Sequence, residues 1–202
     1  MLPPARQPGD FRAAGPPAPV GAAQSEQVTK AMKPNLADIR LLVLDVDGVL
    51  TDGSILIDAD GRESKSFNSV DGHGIRLWRR AGLKVAFISG RAADAVNHRA
   101  RDLEVEYVFQ DCHDKLHVLQ ELLEQQRLSP HQVAVVGDDL PDLPMMRSAG
   151  FAAAVSNAVD EVKQHADYVA ARSGGHGAVR EVIEYILKDT GKWDQLMKRY
   201  LP

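Results

Sequence analysis

Asp45, Asp47 and Asp52 follow a short apolar run, Leu41–Leu44, in the stretch LLVLDVDGVLTDG (41–53). A buried carboxylate without a partner costs several kcal/mol, so a cluster of them behind a hydrophobic strand calls for a cation or a set of donors. Other chemistry-bearing residues recur down the chain. ISGR (88–91) offers Ser89 and Arg91, QDCHDK (110–115) ends in Lys115, and GDDLPD (137–142) carries Asp138, Asp139 and Asp142. Carboxylates with a hydroxyl and a lysine, and no cysteine cluster, make a hard oxygen donor set. Such a set suits Mg²⁺, which takes octahedral oxygen ligands and keeps several waters. The chemistry expected is that of a metal and phosphate site.

A parallel sheet would bring these residues together. Buried strands are expected at Leu41–Val46, Leu83–Ile88, Val105–Phe109, Val133–Val136 and Phe151–Val155, from their short apolar runs. Helical patterns fill 72–81, 91–103, 114–126, 141–149 and 158–165, with a last helix over about 177–189. Strands alternating with helices imply βαβ units, hence an α/β, doubly wound, Rossmann-like parallel sheet. Ligands of such sheets bind beyond the carboxyl ends of the strands, and each acidic or polar motif above sits at one of those ends. One piece breaks the alternation. SILIDADGRESKSFN (54–68) reads as a small β-hairpin inserted after the acidic strand, turning at Asp60-Gly61.

The 202 residues suit one sizeable domain, expected over 36–190. Residues 1–24 hold six of the eleven prolines (Pro3, Pro4, Pro8, Pro16, Pro17 and Pro19), and residues 1–35 read as a disordered tail, or as an upstream start with Met32 the true one. Residues 191–202 read as a C-terminal tail. The net charge of -4 gives no broad basic field for nucleic acid or an anionic membrane. No apolar run approaches the ~20 residues a membrane span needs, and the single cysteine, Cys112, fits a reducing cytoplasm.

DVDGVLTDG, ISGR, Lys115 and GDDLPD, in that order, resemble the four motifs of the haloacid dehalogenase-like phosphatases. KSFNSVDGHGIRLW and GGHGAVREV resemble the capless branch of that family that hydrolyses 3-deoxy-D-manno-octulosonate 8-phosphate, a sugar-acid phosphate of lipopolysaccharide biosynthesis. The resemblance implies that Asp45 is a nucleophile forming an aspartyl-phosphate, and that Asp47 protonates the leaving alcohol and later activates water. It implies Mg²⁺ held by Asp45, the Asp47 main-chain carbonyl and Asp138. Ser89 and Lys115 would take phosphoryl oxygens, with Asp139 and Asp142 orienting Lys115 and the metal's waters. Substrate contacts implied the same way are Asp47, Asn68, Ser69, Val70, Asp71, Gly72, Arg76, Arg91, Arg99 and Lys115. Val70 and His176 depart from the family pattern, which often has a basic residue at the first position and GGRG around the second.

Plainer readings stand beside these. Asp139 and Asp142 have an alternative reading as helix N-caps alone, Arg99 as a solvated helix-face charge, and His113 with His117 as surface histidines. Leu77 and Trp78 read as core. A receiver-type signalling domain shares an acidic cluster with Ser and Lys, but lacks a second carboxylate two residues after the acceptor, so Asp47 argues for turnover. A phosphatase of another acidic sugar phosphate and a non-catalytic assembly domain are the remaining alternatives. The spacing leaves no room for a cap domain, so a neighbouring subunit is expected to supply the lid, through the 54–68 hairpin and the Gly174–Arg180 segment, and the assembly the resemblance implies is a homotetramer.

Overall fold

A computed structural model describes residues 34–201. The expected N-terminal tail falls outside the described residues, apart from Pro34 and Asn35. The Asn35 side chain accepts from the Ala37 amide and caps a 3₁₀ turn, Leu36–Asp38.

The elements run β1 (Leu41–Leu44), β2 (Leu56–Ile57), β3 (Glu63–Ser64), α1 (Ser69–Arg80), β4 (Lys84–Ile88), α2 (Asp94–Leu103), β5 (Tyr107–Phe109), α3 (Lys115–Gln126), β6 (Val133–Gly137), α4 (Leu143–Ser148), β7 (Phe151–Ala154), α5 (Asp160–His165), β8 (Tyr168–Val169), α6 (Ala178–Asp189) and α7 (Lys192–Met197). The main sheet has the order β5-β4-β1-β6-β7-β8, with every pairing parallel. All four residues of β1 are buried, as a central strand covered on both faces requires. Packing contacts join α1 with α2 and α6, and separately α3 with α4 and α4 with α5, so helices flank the sheet as two groups. The chain leaves β1 toward β4 and β5, then crosses back to β6 and continues outward to β8. The direction therefore reverses between β1 and β6, and the crevice at such a reversal is where doubly wound sheets bind ligands.

The expected hairpin is present. β2 and β3 pair antiparallel, with Leu56 opposite Ser64 and Ile57 opposite Glu63. Its turn is wound on Asp58, whose Oδ1 accepts from the amides of Asp60 and Arg62.

Several element ends differ from the periodic pattern. Helix α1 begins at Ser69, ahead of the expected 72, because the Asn68 side chain accepts from the Val70 amide at 2.7 Å and caps it. Helix α4 begins at Leu143 after a 3₁₀ turn, Leu140–Asp142, that Asp139 caps. Two elements escape a periodicity reading because they are so short: β8, of two residues, and α7. The segment 191–202 thus carries a helix, and its Trp193, Leu196 and Met197 pack against the core.

Leu77 and Trp78 are fully buried. Each buried side chain of that size contributes roughly 1.5–3 kcal/mol, and the Trp78 indole keeps its polar atom satisfied by donating to the Lys84 carbonyl at 2.8 Å. No helix of the described residues is long and apolar enough to cross a membrane.

Candidate active site

The carboxyl ends of β1 and β6 deliver the acidic residues side by side. Asp45 follows β1 and is 4% exposed; Asp138 follows β6. Lys115 opens α3, whose N-cap is Asp114, and points its stem inward so that the residue is 8% exposed. Its Nζ donates to Asp45 Oδ1 and to Asp142 Oδ1, both at 2.7 Å. The other Asp142 oxygen accepts from the Asp138 amide at 3.0 Å. Asp142 therefore braces both the lysine and the loop that presents Asp138. Asp139 accepts from the Leu140 amide, the capping role read as its plainer alternative. Ser89 is buried directly beyond β4, and its hydroxyl accepts from the Arg91 amide at 3.2 Å.

The loop between Asp45 and the hairpin is wound around the buried Thr51 hydroxyl, which accepts from the amides of Gly48 and Gly53. Gly48 has φ 100°, and a Cβ there would overlap the Asp138 carboxylate. Only glycine lets this backbone approach that side chain. Gly174 lies against the same loop from the C-terminal side, where a Cβ would overlap the Gly48 carbonyl oxygen.

One oxygen from each of Asp45, Asp138 and Asp142 lies within 4.8 Å of the other two. Against these three carboxylates stands the single ammonium of Lys115. Burial, and then the Asp142 charge, push the Asp45 carboxyl up to about 7, against the pull of Lys115. Burial, followed by the charges of Asp45, Asp142 and Asp139, pushes Asp138 up to about 8. Burial pulls Lys115 down, but Asp45 and Asp142 outweigh it and hold the ammonium above its ordinary value. Asp142 is engaged by Lys115 and the Asp138 amide. Asp45 and Asp138 are then the side chains left to hold a hard divalent cation, and their chemistry fits Mg²⁺.

The expected substrate residues separate into two groups. Arg91 stays at the open rim, with a half-exposed side chain that donates to Glu63 at 2.7 Å. Asp47 and Lys115 lie in the site itself, and the rest make internal bonds or lie outward. Asn68 donates to the Gly175 carbonyl at 3.1 Å. Arg99 donates to the Asn68 carbonyl and to Asp102, and its guanidinium fills the space over Gly72. Buried Asp71 accepts from the amides of Gly177 and Arg180, tying α1 to the start of α6. Arg76 pairs with Asp102, while Ser69 and Val70 are exposed. His113 and His117 are exposed, and neither belongs to the acidic cluster.

Two residues that the motifs did not single out join the site from the hairpin. Lys65 reaches Asp47 Oδ1 at 2.5 Å and Glu63 Oε1 at 2.7 Å. A signal was available: Glu63 and Lys65 are two apart at a strand, so they share one face.

Comparison with known proteins decides the family. Residues 107–183 match a haloacid dehalogenase-like hydrolase family. The chain is 44% identical over 158 residues to 3-deoxy-D-manno-octulosonate 8-phosphate phosphatase of Escherichia coli (strain K12), a match spanning 78% of this chain and 84% of that enzyme. This chain belongs to the 3-deoxy-D-manno-octulosonate 8-phosphate phosphatase family of haloacid dehalogenase-like hydrolases. Solved phosphatases of this family superpose well. The Moraxella catarrhalis enzyme, crystallised with magnesium, phosphate and the sugar acid KDO, is 37% identical with a TM-score of 0.80, covering 82% of this chain and 95% of that one. The cobalt-bound Haemophilus influenzae enzyme is 38% identical with a TM-score of 0.75, covering 78% and 92%.

The raised carboxyl groups predict a pH-dependent response to metal. In metal-stripped phosphatase the folded state holds more protons on Asp45 and Asp138 than the unfolded state does between about pH 4 and about pH 8, so these groups make stability fall as pH rises through that window. A divalent cation offsets the repulsion where the carboxylates are charged. Thermal melts should show a larger stabilisation by millimolar Mg²⁺ near pH 8 than near pH 6. An equal or smaller gain near pH 8 would contradict the charge assignment.

Proposed function

We propose that this protein hydrolyses 3-deoxy-D-manno-octulosonate 8-phosphate to the free sugar acid and inorganic phosphate, through an aspartyl-phosphate on Asp45. The observation that carries the reading is the Lys115 ammonium held between Asp45 and Asp142 at the switch point of the sheet, beside Asp138. A phosphoryl group entering there would meet the Lys115 ammonium and the Ser89 hydroxyl. Asp45 attacks the phosphorus in line with the sugar oxygen, and Asp47 protonates that oxygen as it leaves. Asp47 then takes a proton from the water that attacks the acyl phosphate and frees Asp45. Asp45, the Asp47 carbonyl and Asp138 would hold Mg²⁺, which when bound supplies charge stabilisation to the phosphoryl oxygens. Arg91 at the rim is the guanidinium best placed to receive the sugar's carboxylate. Turnover is expected in the cytoplasm, in keeping with the free Cys112 thiol.

Asp45→Asn keeps the shape of the nucleophile and removes its charge. Phosphate release with Mg²⁺ should fall at least ~10³-fold in this variant, with the circular dichroism spectrum unchanged. Activity within about tenfold of wild type would overturn the assignment.

The assembly completes the proposal. Ile55, Leu56 and Ile57 are 42%, 55% and 62% exposed, and the two-stranded hairpin sheet joins no other strand among the described residues. An apolar strand with an open edge is a surface for pairing with another chain. A homotetramer in which neighbouring hairpins meet would cover it and roof the open site, so that the aspartyl-phosphate is shielded from bulk water. Light scattering should give a tetramer, and Leu56→Asp with Ile57→Asp should give smaller species with lower activity. A fully active monomer at assay concentration would sink the arrangement.

A further inference from the structure

The hairpin does more than present apolar residues. Lys65, directly after β3, has a side chain only 1% exposed, and its Nζ lies 2.5 Å from Asp47 Oδ1. Glu63 stands on the other side of the same ammonium at 2.7 Å, and its second oxygen accepts from Arg91 at 2.7 Å. A line of alternating charge thus runs from the loop after β4, across the hairpin, to Asp47. Burial pulls the Lys65 ammonium down, but its hydrogen bond to Asp47 and its ion pair with Glu63 outweigh this and raise it above its ordinary value. Asp47 Oδ2, by contrast, is buried and has no hydrogen-bond partner among the described residues.

We propose that Lys65 is a positioning residue for Asp47: by gripping Oδ1 it fixes the carboxyl rotamer and leaves Oδ2 as the one oxygen that exchanges a proton with the reacting groups. The proposal rests on Asp47 being the proton donor. An ammonium offers three donors and no acceptor, so the oxygen it grips must accept, and a proton on this carboxyl sits on Oδ2. Without the grip the carboxyl can rotate about two side-chain torsions, and either oxygen can face the substrate. The sequence of events balances on that atom. As Asp45 oxygen bonds to phosphorus, the bond between phosphorus and the sugar oxygen breaks, its electron pair stays on the leaving oxygen, and that oxygen takes the Oδ2 proton. In the second half a water oxygen bonds to phosphorus and loses a proton to Oδ2. The acyl-phosphate bond breaks with its electron pair returning to Asp45, and inorganic phosphate leaves. Glu63, held by Arg91, keeps Lys65 from swinging away.

A lysine that only pins the hairpin would affect every substrate alike, whereas one that aims a proton donor matters most where the leaving group needs a proton. Wild type, Lys65→Met, Lys65→Arg and Asp47→Asn are compared with Mg²⁺ on a sugar phosphate, whose alkoxide must be protonated, and on p-nitrophenyl phosphate, whose phenolate leaves unaided. Lys65→Met should lower kcat on the sugar phosphate ~10–100-fold, with a loss at least tenfold smaller on the aryl ester. KM should move by less than about threefold, and Lys65→Arg should recover part of the loss. Combining Lys65→Met with Asp47→Asn should add nothing to Asp47→Asn alone, because the two act as one unit. Should the methionine not be accommodated, Lys65→Gln makes the same comparison. Equal losses on the two esters, no loss at all, or additive losses in the double variant would overturn the proposal. An Asp47→Asn variant without leaving-group selectivity would instead remove the assignment of Asp47, and this proposal with it.

Discussion

The Lys115 ammonium sits between Asp45 and Asp142 at 2.7 Å from each, with Asp138 alongside, and the surrounding elements hold that cluster of charge in place. Three carboxylates against one cation leave an excess of negative charge where burial weakens the screening of water. Such an arrangement costs stability, and it persists because the fold over-determines it. β1 and β6 are neighbours in the sheet, so their terminal aspartates emerge side by side. The Asp142 carboxylate is pinned by Lys115 and by the Asp138 amide. Asp45 cannot withdraw without leaving buried Lys115 with one partner fewer. A hard divalent cation is the natural relief for the excess.

Around this centre a second set of bonds ties the site's elements together. Asn68, Asp71, Gly72 and Arg99 build a frame that binds the start of α1 to α2, to the Gly174–Gly177 segment and to the first turn of α6. That frame presses the C-terminal glycines onto the loop carrying Asp47. A buried carboxylate accepting two amides, as Asp71 does, is strong support, since charge-assisted bonds are worth about 1.5–3 kcal/mol each. The rim has a different character. Arg91, Glu63 and Lys65 link the loop after β4 to the hairpin, so whatever holds the hairpin in place also bears on Asp47.

The strand ends were legible in the sequence because a doubly wound sheet puts its ligand groups there. Apolar runs ending in Asp45, Ser89 and Asp138 identified both the strands and the chemistry. The hairpin was readable from its Asp-Gly turn and from the break in strand–helix alternation. Other features depend on distance in space and leave little trace along the chain. The Asn68 and Asp71 side chains also bond to partners more than a hundred residues away, which no local pattern announces. Lys65 opens the segment KSFNSVDGHGIRLW, but its role does not show there, because it comes from the hairpin folding back over Asp47. β8 and α7 are too short for a period to show, and α7 is held by Trp193, Leu196 and Met197 against the core.

The central claim is that Asp45, within this cluster, forms the covalent link to the transferred phosphoryl group. It is tested most directly by mixing the protein with Mg²⁺ and the sugar phosphate, quenching in acid within milliseconds, and locating the modification by peptide mass spectrometry. The account predicts one phosphoryl group on the peptide containing Asp45, reaching its peak before free phosphate accumulates and lost on hydroxylamine treatment, as an acyl phosphate is. A phosphoryl group found on another residue, or rapid turnover with no covalent species at any time, would contradict it.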